Sequence, residues 1–379
     1  KSDLMARFDD WVADPALRLP ELTQFTANPD NIAQPFLDRY HIWVSSGTSG
    51  EPAVFVQDAR AMAVYDALEG LRRAKPSLTM GWSDPMLLVQ RIAFVGATSG
   101  HFASVVSMQR LRQINPWMGQ SLRCFSIEQP VARLVQALND FSPTVIASYP
   151  TAAAMLADEA ERGNLRVSLR EVWTGGETLG SAQRDHIVQA LGCTVRNSYG
   201  ASEFLAMGWE CAHGNMHLNA DWVILEPVDR AYRPVPAGTL SHTTLLTNLA
   251  NHVQPLIRYD LGDRISIAAE PCVCGSPLPV IEVQGRPVGD RVERWGPDAV
   301  DGSDVDDARR VVGGRSGLEQ RKQLLGQEEQ ALHVGVEHLV PAHLGELVDR
   351  CSPRHPGVVD EHVHLRLALA ELGDEAGDA

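Results

Sequence analysis

Apolar and polar positions follow two rhythms along this chain. Between about residues 41 and 290, short β-type apolar runs alternate with stretches whose apolar positions recur at helical spacing. The clearest unit is Thr144–Ser148 (TVIAS), then Pro150 and Thr151, then an Ala/Leu/Glu-rich stretch that stops at Gly163. Proline near a helix start and glycine just past its end mark the two ends of that helix. A second unit follows, with a strand at Glu171–Thr174, a turn at Gly175-Gly176-Glu177, a helix from about Ser181 to Leu191 and a strand at Thr194–Ser198. Strands alternating with helices need crossover connections, so the expected fold is α/β with parallel sheets. From Asp221 to Ile281 the spacing shortens and β-type residues dominate, which predicts a β-rich subdomain over about 221–284. Residues 1–40 carry helical and turn signals and no identifiable chemistry.

The pattern changes after residue 290. Residues 291–379 contain no Ile, Phe, Tyr, Thr, Met or Asn, and they hold six of the thirteen histidines (His333, His338, His343, His355, His362 and His364). Two readings stay open for this atypical C-terminal region, 285–379: a small helical domain from a GC-rich genome, or a tail translated out of frame.

Composition narrows the function. Lys and Arg number 33 against 48 Asp and Glu, a formal charge of −15. That excess of acid argues against a general nucleic-acid or anionic-membrane binder, while leaving room for a local basic pocket. No apolar run approaches the roughly 20 residues of a membrane helix, and no signal-peptide pattern opens the chain. Six cysteines in 379 residues do not suggest a disulfide framework, so a reducing cytoplasm is the default expectation. The chain opens on Lys1 rather than Met, and its natural start is expected to lie upstream. The oligomeric state is not fixed by the sequence, and a homodimer is compatible with it.

Three short motifs carry candidate chemistry. Ser45-Ser46-Gly47-Thr48-Ser49-Gly50-Glu51-Pro52 follows the β-type run His41–Val44. Small hydroxyl residues interleaved with glycine let backbone N–H groups and hydroxyls approach a polyphosphate. There is no Gly-Lys-Ser ending, so this is not a P-loop; a flexible Gly/Ser connection is the plain alternative. Tyr199-Gly200-Ala201-Ser202-Glu203 comes directly after an expected strand, where a ring could stack on a base and a carboxylate could hold a phosphate-bound metal. Arg258-Tyr259-Asp260-Leu261-Gly262-Asp263 offers a carboxylate in a turn, a usual grip on ribose hydroxyls. Each alone could be an ordinary turn.

Taken in order, with Gly175-Gly176-Glu177 between the first two and Gly285-Arg286 last, the series resembles the core motifs of the adenylate-forming (AMP-binding) superfamily, and its spacing resembles the phenylacetate–CoA ligase branch. The resemblance covers roughly residues 40–290. It implies an adenylate-forming core over 1–284, in which Ser45, Ser46, Gly47, Thr48, Ser49 and Gly50 wrap the β- and γ-phosphates of ATP, with Thr48 and Ser49 as hydroxyl donors. Gly176 and Glu177 would lie against the adenine and the acyl pocket. Tyr199 would stack on adenine beside Gly200 and Ser202, Glu203 would help hold Mg²⁺, Asp263 would bind the ribose, and Arg286 would close the large domain. Tyr149 and His101 are weaker candidates for the acid pocket. The implied reaction joins a carboxylic acid, aromatic or arylacetic, to AMP with loss of pyrophosphate, and then to coenzyme A as a thioester. Catalytic work would fall to Thr48, Glu203 and Arg286. Competing readings are an acyl-adenylating enzyme that uses an amine or carrier-protein acceptor, and a non-catalytic ATP-binding or zinc-stabilised remnant.

Cys211 lies in Glu-Cys-Ala-His-Gly-Asn-Met-His, and Cys272-Val273-Cys274 follows further along. Three thiols and one imidazole in two short clusters fit a closed tetrahedral zinc site, with His213 or His217 as the imidazole. The resemblance selects Cys211, His217, Cys272 and Cys274. Free cysteines and surface histidines are the alternative.

Three features depart from the superfamily pattern. Val288 stands where an acidic hinge residue is expected, with Asp290 a displaced substitute; Lys322, the tail's one lysine, sits in an unrelated setting; and Glu51 occupies a position where many relatives carry Lys. Only 44 residues precede the phosphate loop. Low or absent adenylation is therefore the expectation for the chain by itself.

Overall fold

The computed structural model describes residues 1–45, 52–72, 90–115 and 119–285. Expectations that rest on Ser46 to Glu51, on Arg286, Val288 and Asp290, and on the C-terminal region with Lys322 lie outside the described residues.

A nine-stranded sheet dominates. Its parallel half contains β3 (Ile92–Gly96), β4 (Leu122–Ser126), β5 (Val145–Ser148), β6 (Glu171–Thr174) and the first part of β7 (Thr194–Ala201), in the spatial order β4-β3-β5-β6-β7. Helices α5 (Ala103–Ile114), α6 (Val131–Phe141), α7 (Pro150–Glu161) and α8 (Ser181–Leu191) make the crossovers. Burial on both faces explains why the strands read as unbroken apolar runs: β3 and β5 are buried along their whole length. Against them the helices turn their apolar stripes, as with Leu134, Val135, Leu138 and Phe141 of α6. Pro150 occupies the first turn of α7, whose described end lies just before Gly163 at φ 74°. Gly192 closes α8 in the left-handed region that favours glycine, φ 61°.

The second unit of the sequence reading holds with one correction. Strand β7 does not stop at Ser198. It runs through Tyr199-Gly200-Ala201, so the motif expected to follow the strand begins inside it. The reason is tertiary: past Ser198, β7 pairs antiparallel with β8 (Phe204–Glu210), with a register shift between Tyr199 and Ala201. The turn is Ser202-Glu203.

Beyond β7 the sheet continues antiparallel through β8, β9 (Met216–Leu218), β14 (Val280–Gly285) and β13 (Arg264–Ile267). The stretch read as one β-rich subdomain thus divides between two sheets. Strands β10 (Val223–Val228), β11 (Thr243–Asn248) and β12 (Tyr259–Asp260) form a separate three-stranded antiparallel sheet. Strands β1 (His41–Val44) and β2 (Val54–Gln57), which flank the Gly/Ser/Thr motif in sequence, form a two-stranded antiparallel hairpin that pairs Val44 with Val54. The N-terminal residues add α1 (Ser2–Ala6), α2 (Phe8–Trp11) and α3 (Leu19–Thr26), and α4 (Ala59–Arg72) follows β2. Trp43, Phe94, Trp173 and Phe204 are among the largest fully buried side chains, and they belong to one continuous core. No helix among the described residues is long and apolar enough to cross a membrane.

Candidate functional site

Parallel strands end on the same side of a sheet, and chain order reverses here at β3, which lies between β4 and β5. Carboxyl ends beside such a reversal are the usual ligand crevice of an open α/β sheet. The residues singled out in the sequence follow those ends: His101 after β3, Tyr149 after β5, Gly176 and Glu177 after β6, and Tyr199 to Glu203 at the end of β7.

Tyr199 and Asp263 meet directly. The Tyr199 hydroxyl donates to Asp263 Oδ2 at 2.7 Å, and both residues are buried. Asp263 sits between β12 and β13, with its carbonyl held by the Thr244 hydroxyl of β11 at 2.8 Å. Asp260, in the same motif, does different work. Its carboxylate accepts from the Thr243 hydroxyl, from the Tyr232 hydroxyl at 2.8 Å and from the Gly262 N–H at 3.0 Å, and so builds the turn that presents Asp263. Gly262, at φ 76°, takes the conformation that turn requires.

The Ser202-Glu203 turn is fixed from two sides. Trp43 of β1 donates its indole N–H to the Ser202 carbonyl at 2.9 Å, and Asn248 at the end of β11 donates to the Glu203 carbonyl at 2.9 Å. Glu203 itself is 2% exposed, with Lys1 Nζ 3.4 Å from its Oε1. Ser45, also buried, closes the base of the β1–β2 hairpin: its N–H donates to the Ala53 carbonyl, and its Oγ accepts from the Ala53 N–H at 3.0 Å.

Glu177 has a partner that the sequence reading did not foresee. Its carboxylate accepts from the Thr151 N–H at 3.0 Å and the Thr151 hydroxyl at 2.9 Å, at the first turn of α7. Burial raises its pKa, and the two Thr151 bonds partly offset that rise. With Gly176 at φ 80°, this anchor fixes the path of the loop after β6. Gly200 lies in β7, at the register shift. Tyr149 is buried at the start of α7, and His101 is buried with its Nε2 3.1 Å from the Asn28 carbonyl.

A second cluster lies at the antiparallel side. Cys211, His217, Cys272 and Cys274 bring four donor atoms within 4.8 Å of one another. Cys211 Sγ and Cys272 Sγ are 3.9 Å apart, and Cys274 Sγ and His217 Nε2 are 3.3 Å apart. Ligands at zinc–sulfur and zinc–nitrogen bond lengths on one tetrahedral ion would be separated by roughly 3.5–3.8 Å, so the set fits. His217 Nδ1 lies 3.0 Å from the Leu278 carbonyl, which makes Nδ1 the protonated nitrogen and leaves Nε2 free to bind. Trp209 stacks on the ring at 5.0 Å. Backbone N–H groups of Cys274 and Ser276 point at the sulfurs of Cys272 and Cys274. The Cys274 N–H, assisted by the Asn215 amide, draws the Cys272 thiol down to about 6. Cys274 is pushed up: the Ser276 N–H opposes this, but burial and the neighbouring thiols prevail. His213 is exposed and stands outside the cluster.

Comparison with known proteins fits this geometry. A family model described as AMP-binding enzyme matches residues 20–238, more than half of the chain. The chain belongs to the AMP-binding enzyme family. It is similar to a phenylacetate-coenzyme A ligase of Thermus thermophilus, 32% identical over 151 residues, which are 38% of this chain and 34% of that protein. It therefore spans about a third of that relative's length. Among solved structures, an open conformation of 2-hydroxyisobutyryl-CoA ligase, in complex with 2-HIB-AMP and CoA, shares the fold. The TM-score is 0.51 at 22% identity, covering 71% of this chain and 62% of that one. The same ligase in its thioesterification state gives a TM-score of 0.50 at 22% identity, over 69% and 55% of the two chains.

Proposed function

We propose that the chain carries the nucleotide site of an enzyme that activates a carboxylic acid, aromatic or arylacetic, with ATP to an acyl-adenylate, and then passes the acyl group to coenzyme A. The observation that carries this reading is the hydrogen bond between Tyr199 and Asp263, far apart in the chain, at the end of β7 where the buried Glu203 lies in the next turn. The named activities of the Thermus thermophilus protein and of 2-hydroxyisobutyryl-CoA ligase support the same class.

In this reading Tyr199 stands against the adenine, Asp263 takes the ribose hydroxyls, and Gly176 shapes the wall that faces the base and the acyl group. Glu203 would hold Mg²⁺, which supplies charge neutralisation to the phosphates when bound. Ser45 anchors the hairpin whose tip, Ser46 to Gly50 with Thr48, would cover the β- and γ-phosphates. The protein's part is then to position two anionic reactants and exclude water, with no nucleophilic side chain required. Cys211, His217, Cys272 and Cys274 would hold a structural Zn²⁺, since four protein ligands leave no open position for chemistry. The free state of Cys124 and Cys193, and of the cluster cysteines themselves, suits a reducing cytoplasm.

The direct test uses stable acyl-sulfamoyl adenosines, which mimic the adenylate and need no turnover. An arylacetyl or benzoyl analogue should bind roughly a hundredfold or more tighter than AMP. An analogue that binds no tighter than AMP would refute acid activation at this site. AMP release assayed with and without coenzyme A then separates thioester formation from transfer to an amine or carrier protein.

A further inference from the structure

The N-terminal segment, read as chemically silent in the sequence, delivers a cation to the candidate site. Lys1 Nζ lies 3.4 Å from Glu203 Oε1, and the two side chains are 12% and 1% exposed. Neither atom has a hydrogen-bond partner among the described residues, although both are shielded from solvent. An ammonium carries three N–H donors and a carboxylate oxygen two lone pairs, so this pair leaves hydrogen-bonding capacity unused in a buried place. Burying such groups is costly unless they are matched. A carboxylate satisfied by a metal and an ammonium satisfied by phosphate oxygens would remove both deficits together.

The placement of Lys1 follows from packing. It precedes α1, and Met5 at the end of that helix is buried, its sulfur accepting the Val54 N–H at 3.4 Å. Val54 opens β2, the strand that follows the Gly/Ser/Thr motif in sequence. The Trp43 indole ties the other strand of the hairpin to the Ser202-Glu203 turn. The helix that follows Lys1 is thus tied to β2, and the Ser202-Glu203 turn to β1, the two strands of one hairpin. The candidate phosphate loop has Glu51 and no lysine of its own.

We propose that Lys1 is a phosphate-contacting residue, its ammonium taking non-bridging oxygens of the β- or γ-phosphate of a nucleoside triphosphate bound beside Glu203. This rests on the adenylate-forming reading of the site and adds to it a cation from the N-terminal segment.

Titrating Mg·ATP and AMP into the full chain and its Lys1→Met and Lys1→Arg variants tests the assignment, because AMP binding reports whether the pocket is still assembled. Hydrogen bonds to charged groups are worth about 1.5–3 kcal/mol, so Lys1→Met should weaken Mg·ATP by roughly tenfold to a hundredfold while AMP affinity stays unchanged. Lys1→Arg should retain most of the ATP affinity. Unchanged ATP affinity in Lys1→Met overturns the assignment. So does an equal loss of ATP and AMP, which would make Lys1 a purely structural partner of Glu203. If the unaltered chain binds neither nucleotide, the adenylate-forming reading itself falls, a result distinguishable from both.

Discussion

Asp260 and Asp263 share one six-residue motif, yet the first is exposed and holds a turn while the second is buried against Tyr199. Residue identity could not tell them apart, because the distinction comes from β11, whose Thr243 and Thr244 reach one each. Glu177 gives the same lesson: a loop glutamate in the sequence, it caps the start of α7 through Thr151. The cysteines were more legible. Their clustering in two short segments implied a common site, and the residues alone left His213 and His217 open where the resemblance, and then the coordinates, favour His217. That site makes a prediction at its own scale. In zinc-free protein the Cys272 thiol, held down to about 6, should be alkylated by iodoacetamide at pH 7 far faster than Cys124, whose thiol burial pushes up to about 11. Adding Zn²⁺ should protect Cys272, and purified protein should contain about one zinc that Cys274→Ser loses. Equal alkylation rates, or no protection by zinc, would count against the metal site.

Among elements, the βα units were readable because their apolar periods switch cleanly between strand and helix, with Pro150 and Gly163 as end marks. Where pairing partners lie far apart in sequence, the pattern was silent. The segment Asn248–Gln254 imitates a strand beside β2. Gln254 accepts the Val56 N–H at 2.8 Å and donates to the Val54 carbonyl at 2.9 Å, and Asn251 donates to the Val56 carbonyl at 2.8 Å. Gln254 is 1% exposed, so Gln254→Ala strands two buried backbone groups and should cost at least about 2 kcal/mol in urea unfolding. A loss near zero would show that water replaces the amide. The same hairpin carries His41, whose pKa burial lowers to about 4, assisted by the Arg110 charge. A histidine depressed on folding keeps its full contribution above the unfolded value near 6.5 and loses it as pH falls towards 4. Stability should therefore drop between pH 6.5 and 4, and His41→Phe should flatten that drop; an identical pH profile in the variant would assign it elsewhere.

At the scale of the molecule, the sheet explains why separate weak motifs become one site. Parallel strands bring the segments after β3, β5, β6 and β7 to a common edge, and the antiparallel continuation returns Asp263 to Tyr199. Motif order along the chain carried part of this arrangement, because β5, β6 and β7 are neighbours in chain order, whereas the reversal at β3 was not legible. The attachments of the hairpin and the N-terminal helix were invisible at that level, since they run through single side chains such as Met5 and Trp43. The central claim, a nucleotide site built on Tyr199, Glu203 and Asp263, is tested most directly by calorimetric titration of Mg·ATP into the unaltered chain and into Asp263→Ala. A bidentate carboxylate grip on ribose predicts a loss of roughly tenfold to a hundredfold in the variant. Equal affinity for ATP in the two proteins would contradict the account.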